Sequence, residues 1–249
     1  MRPYQLLGFL ALVILTGCGI ELVLVTPSPR PNVNVPPVIA QPGAGGFPNL
    51  VVKPAPQEIT YAGCPPQGDG GDVDLNRRKN RVDESPQYFS VALETLVNLP
   101  HPTSIEGSRR RDWTSSAASQ VAQYEGVPVA VEGFLADSKV EGPEATNCHS
   151  IDEVDFHVWI GPGANADRAR SLVVEFTPRV RSKHAGWTAT KMERLDTLHL
   201  RVRVSGWVLM DQEHPDQIGR TRGTLWEIHP VMQFEVQQGN QWIALDEVR

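Results

Sequence analysis

The sequence predicts a mainly-β protein: a five-stranded antiparallel barrel with flanking helices, standing behind a disordered, proline-rich tether. Three observations predict it. Beyond Gly126 the apolar residues alternate with period two through five segments, and one short helical pattern falls between the third and the fourth. All six tryptophans lie at or beyond Trp113, so the aromatic material for a core sits in the later part of the chain. Nine prolines crowd into the 33 residues from Thr26 to Glu58, with one aromatic, Phe47, and three charges. Such a stretch buries too little apolar surface to offset its ordering entropy.

Composition excludes several classes. The chain has 249 residues, 40% hydrophobic and 21% charged, with mean hydropathy −0.27. That is a globular mixture, neither a polytopic membrane protein nor a wholly disordered chain. From Tyr61 onward 20 basic residues face 27 acidic ones, so bulk charge does not draw the domain to nucleic acid or anionic lipid.

The first residues read MRPYQLLGFLALVILTGC. Arg2 supplies a short positive region and Leu6 to Leu15 an apolar one, too short to span a bilayer. Leu15-Thr16-Gly17-Cys18 then resembles the lipobox of bacterial lipoproteins. The resemblance implies a signal peptide over 1–17, cleavage before Cys18, and acylation (palmitate-type) of Cys18, hence a membrane anchor in the cell envelope. Gly19 rather than Asp after the cysteine implies the outer membrane if the host is Gram-negative. Acyl chains contribute about 0.8 kcal/mol per buried CH2, so two or three anchor nearly permanently. Residues 18–60 form the lipidated N-terminus and linker. The tether over 26–58 reaches between about 30 Å as a coil and about 100 Å extended.

Residues 61–126 read as a helical and loop subdomain, and 127–249 as the barrel. Gly68 to Asn80 is loop-like; Asp69, Asp72 and Asp74 hint at calcium but lack the EF-hand spacing. Ser85-Pro86 suits a helix start, with Phe89, Leu93, Leu96 and Val97 on one face and Pro100 as its stop. A second helix starts near Asp112, with Trp113, Ala117, Val121 and Tyr124 at helical spacing and Gly126 ending it. Strands follow at 127–135, 155–160 and 172–177. A short helix within 187–197 has Thr190 and Glu193 spaced as a capping box. The fourth strand spans 198–210 with a bulge at Gly206, the fifth 225–236, and a hairpin turns at Gly239-Asn240. Five strands with a helix between the third and fourth is the order of the OB-fold. The strings DFHVWI, EFTPR and RTRGTLWEIHP resemble segments of uncharacterised secreted bacterial proteins with an OB-like domain. The resemblance covers roughly 126–236 and brings no activity with it.

Cys64 and Cys148 are the two cysteines besides Cys18. In an exported chain the pair points to a disulfide, worth about 4–5 kcal/mol on chain entropy.

Strand parity places the candidate site. His157 and Glu175 oppose the apolar sets of their strands, as do Glu227 and His229, so a polar strip crosses the outer surface of one barrel wall. Arg179, and Asp211, His214 and Arg222 from the loop after the fourth strand, complete a candidate cleft. OB domains bind ligands at that wall. Arg179 and Arg222, with Arg220 of the same loop as Arg222, suit an anionic or sugar-like ligand through forked hydrogen bonds. The histidines and carboxylates suit a divalent metal that activates water. The leading reading is an envelope-anchored binding or interaction module with no committed cofactor. The alternatives are a metal-dependent hydrolase and a purely structural envelope component. No HExxH, CxxC pair, GxSxG or phosphate loop is present, so no catalytic residue follows. The runs Arg77-Arg78-Lys79-x-Arg81 and Arg109-Arg110-Arg111 lack interleaved aromatics and read as solvated loops or local ion pairs, not a nucleic-acid surface.

Overall fold

The computed structural model describes residues 47–48 and 53–249 in full, and residues 12–16, 19–23 and 38–39 by their backbone. Two units are distinguished, Met1–Val35 and Pro36–Arg249. In the first, β1 (Leu12–Thr16) and β2 (Gly19–Val23) pair as an antiparallel hairpin. The lipidation reading at Cys18, and most of the tether, fall outside the described residues. No helix among the described residues is long and apolar enough to cross a membrane.

The second unit contains, in chain order, β3 (Val38–Ile39), α1 (Val73–Lys79), β4 (Tyr88–Val91), α2 (Leu93–Val97), α3 (Ser115–Val121), β5 (Pro128–Val140), β6 (Phe156–Gly161), β7 (Leu172–Phe176), α4 (Pro178–Arg181), α5 (Ala189–Asp196), β8 (Arg201–Met210), β9 (Trp226–Gln238) and β10 (Gln241–Ala244). β5 pairs antiparallel with both β6 and β8, β6 with β7, and β8 with β9. A short parallel pairing of β7 with β9 closes the ring. This is the OB order, with α5 between the third and fourth barrel strands.

Alternation determines which side chains fill the barrel. Phe156, Val158 and Ile160 of β6, Leu172, Val174 and Phe176 of β7, and Trp226 and Ile228 of β9 all join the buried core. Buried Trp226 gives its indole N–H to Leu99 O at 3.1 Å, and Trp207 to Asp83 O at 3.0 Å, so neither ring leaves its polar atom unpaired. α5 contributes Met192 and Leu195 to the same core. The register slips around Gly206, where β8 meets β9. A side chain there would meet Pro230 O at 2.4 Å, so only glycine allows the two backbones to approach. The hairpin β9–β10 turns at the expected place, with Gly239 at φ +59.

Several local expectations need correction. The stretch after Ser85 is not a continuous helix: Tyr88–Val91 is a strand, pairing parallel with β5, and only Leu93–Val97 is helical. Ser85 makes a turn instead, its hydroxyl donating to Gln87 O at 2.6 Å. An open edge of β5 outcompeted a helical spacing that was too short to stand alone. Gly68–Asn80 is not loop throughout. Its aspartates include the cap of α1: Asp72 accepts from the N–H groups of Asp74 and Leu75 at 3.0 and 3.2 Å. α3 starts later than Asp112, capped by Thr114, and α5 is capped by Thr188 rather than Thr190. The last part of the tether is pinned. Lys53 donates to the carbonyls of Ala122 and Glu125, Gln57 N–H to Asp83, and Glu58 pairs with Arg77. Phe47 stands edge-on to Tyr124 at 5.3 Å.

Cys64 and Cys148 form a disulfide across 84 positions, with Cα atoms 5.7 Å apart. It ties the segment ahead of α1 to the loop between β5 and β6.

Candidate functional site

The outward faces of β6, β7 and β9 carry polar residues, as their parity requires. His157 sits directly opposite Glu175 in the β6–β7 register. Val173 pairs with Glu227 across the parallel β7–β9 junction, so continuing that register sets His229 beside Glu175. His157 Nε2 lies 2.8 Å from Glu175 Oε1, and His229 Nδ1 lies 3.1 Å from Glu175 Oε2 and 3.5 Å from Glu227 Oε2. Arg222 Nη1 reaches Glu227 Oε1 at 2.7 Å and Asp211 Oδ2 at 3.7 Å, and Lys79 Nζ lies 3.5 Å from Asp211 Oδ2.

The strip does not lie on an open surface. Glu175 is wholly buried, and Glu227 and His229 are 1% exposed. α1 lies over β9, and the loop between β5 and β6 packs against α1. Parity gave the outer wall of the barrel; the segment ahead of the barrel then covered it. The cover supplies its own polar groups: Asn76 and the charged Lys79, one helical turn apart on α1, both point into the protein and are 4% exposed.

Enclosure makes each ionisation depend on its neighbours. Burial lowers the His157 pKa, but the Glu175 carboxylate, helped by Glu141 and Glu227, raises it to about 9. His229 is likewise pushed up to about 10 against its desolvation, chiefly by Glu175. Burial opposes charge on Glu175 too, yet His157, His229 and Lys79 hold its pKa well below the usual carboxylate range. Burial and the Glu175 charge raise Glu227 and Asp155. Asp211 is depressed, because Lys79 and Arg222 outweigh its desolvation. Lys79 is raised well above its ordinary value: burial acts downward, but Asp211, Glu175 and Glu227 overcome it.

A cleft of about 330 Å³ opens beside this cluster. His157 and Arg222 belong to both. Lys139, Glu141 and Glu144 come from β5 and the loop after it, Trp159 from β6, Arg168 from the loop after β6, and His214, Asp216, Arg220 and Thr221 from the loop after β8. These are the wall and the two loops with which OB domains hold ligands. Trp159 is fixed by a 2.7 Å bond from its indole N–H to Thr221 O, and the Arg168 guanidinium lies over its ring at 3.9 Å. Arg168 also pairs with Asp137, and Lys139 with Glu141. Burial pushes the Glu144 carboxyl up to about 7, so its charge is partly lost at neutral pH.

The eight residues expected from the sequence divide into three groups. His157, Glu175, Glu227, His229, Asp211 and Arg222 form the buried cluster. His214 stands at the cleft rim, 3.8 Å from Asp211. Arg179 belongs elsewhere. It is buried, donating to Asn80 and Asn147 side chains at 2.7 and 3.0 Å and to the carbonyls of Cys64 and Pro65 at 3.1 and 3.2 Å. Its role is to brace the disulfide-bonded cover, because α4 turns it under that segment and not along the wall. Sequence reasoning missed Lys79 and Asp155 as site residues. Asp155 shares the parity of His157, which was a usable signal; Lys79 was hidden in a basic run. Arg110 was hidden in the same way. It is 9% exposed, with a bidentate pair to Glu125 at 2.8 and 2.6 Å.

No protein-family model, curated protein or solved structure matches the chain.

Proposed function

We propose that the chain is an exported, lipid-anchored protein whose OB-like barrel binds a small anionic ligand of the sugar-acid type at the cell envelope. The supporting observation is Arg220. It lines the cleft, is exposed, and has no side-chain partner among the described residues, whereas Lys139, Arg168 and Arg222 are each engaged with a carboxylate. A guanidinium at the mouth of a cleft suits a ligand bearing a carboxylate. Four Lys and Arg side chains line the cleft against Glu141, Glu144 and Asp216, which favours an anion over a neutral sugar.

Calorimetric titration of the full chain in detergent with glucuronate, inorganic phosphate and glucose tests this. Glucuronate should bind best, and Arg220→Ala should weaken it at least about tenfold, the loss of one charge-assisted hydrogen-bond pair. Equal affinity for glucose, or binding indifferent to Arg220→Ala, defeats the reading.

The anchor rests on the lipobox resemblance at Leu15–Cys18. Cys18→Ser should abolish incorporation of labelled fatty acid and leave the precursor uncut or the protein out of the membrane fraction. Label retained in that variant would refute lipidation at Cys18.

A metal-dependent hydrolase is the second reading. Its candidate ligands Asp155, Glu175 and His229 converge behind His157, but their burial leaves no open position for a water, which places this reading second.

A further inference from the structure

We infer that Asp155, Glu175 and His229 form a site for one first-row divalent cation, zinc or manganese, in the wall behind the cleft. The inference stands independently of any cleft ligand. One donor atom from each residue lies within 4.8 Å of the others. Asp155 precedes β6, Glu175 is on β7 and His229 on β9, so only the closed barrel assembles them. Zinc bonds of 2.0–2.2 Å set tetrahedral ligands about 3.3–3.6 Å apart, so small side-chain rotations suffice to close on an ion.

Unpaired atoms are the second observation. All three residues are at most 1% exposed. Among the described residues Asp155 Oδ2 and His229 Nε2 lack a hydrogen-bond partner. The Glu175 oxygens and His229 Nδ1 are held in ion pairs, Glu175 Oε1 with His157 at 2.8 Å and Glu175 Oε2 with His229 Nδ1 at 3.1 Å. Buried polar atoms are ordinarily paired. Among the described residues Asp155 Oδ2 and His229 Nε2 have neither a hydrogen bond nor an ion pair, and these two buried atoms call for a partner. Two carboxylates and a neutral imidazole suit zinc or manganese, and binding would release to solvent the proton that His229 carries in the metal-free protein.

Supporting residues hold the donors in place. Asn147 Nδ2 donates to Asp155 Oδ1 at 3.1 Å, and Arg179 donates to Asn147 Oδ1 at 3.0 Å. The neighbouring trio Glu175, Asp211 and Glu227 also brings donor atoms together, but Lys79 and Arg222 already occupy it with positive charge. An ion at Asp155, Glu175 and His229 is closed off from solvent. It would fix Glu175, and through Glu175 the ring of His157 at the cleft.

Equilibrium dialysis of the chelator-stripped full chain in detergent against zinc or manganese, with metal counted by mass spectrometry, provides the test. One equivalent should be retained, with a rise in Tm that saturates at that stoichiometry. Asp155→Asn and His229→Gln should each weaken retention at least about tenfold while far-UV dichroism stays native. His157→Gln should keep the ion. If a ligand variant does not fold, the wild-type stoichiometry and Tm shift still decide. No retained metal and no Tm shift with either ion overturns the site, as does undiminished retention in folded Asp155→Asn and His229→Gln.

Discussion

Arg222→Met should destabilise the protein by about 3–5 kcal/mol. Arg222 is 1% exposed, and its guanidinium is the closest cation to Glu227 Oε1, at 2.7 Å. Methionine preserves much of the apolar stem and removes the charge. Asp211 keeps Lys79 at 3.5 Å and His214 at 3.8 Å, but among the described residues Glu227 keeps one direct ion pair, His229 at 3.5 Å. A buried carboxylate then loses its principal partner, and the dehydration it suffered on folding is no longer offset. Urea unfolding at neutral pH measures the loss. Arg222→Met combined with Glu227→Gln should recover part of it, since the stranded charge is gone. A change below about 1 kcal/mol would mean the pair behaves like an exposed one and that the cover does not exclude water. Asp211 adds a pH signature. Its folded pKa lies below the unfolded value, so its contribution is present above the unfolded pKa and is lost as pH falls through the folded one. Asp211→Asn should flatten that part of the acid limb.

Removing the disulfide should have a comparable effect. Cys64→Ser with Cys148→Ser frees a closed span of 84 positions, and the chain-entropy relation assigns about 4–5 kcal/mol to it. The loss should begin locally. Cys64 and Cys148 join the two strips of chain that roof the charge cluster, and Arg179 bridges the same strips through Asn147 and the Cys64 carbonyl. Amide exchange around residues 61–83 and 144–155 should therefore accelerate before that of the barrel strands. If the oxidised protein and the double serine variant share one urea midpoint, the bridge does not constrain the fold. If the barrel loses protection together with the cover, the two form a single cooperative unit.

Local chemistry made the barrel legible. Every barrel strand has a buried face whose side chains alternate with period two, and a slip of one residue would drive Glu175 or His229 into an apolar core. That asymmetry is written in neighbouring residues, so strand parity, the glycine bulge and the polar strip could all be read from the chain. The same holds for the cysteine pair, because only two candidates existed once Cys18 was set aside. What covers the strip was not local. Lys79 meets Asp211 from 132 positions away, and Gln212 donates to the α1 cap Asp72 across 140. α1 has seven residues, too few to declare itself by periodicity among glycines and aspartates. Its docking reverses the meaning of the basic run, turning Lys79 from a presumed solvated charge into a buried counter-ion. Short β4 was invisible for a related reason: its strand form depends on the open edge of β5, and four residues carry no period of their own. The sequence by itself thus determined which side chains share a wall. Tertiary structure decided whether that wall meets water, because burial is set by distant segments that alternation along one strand does not encode.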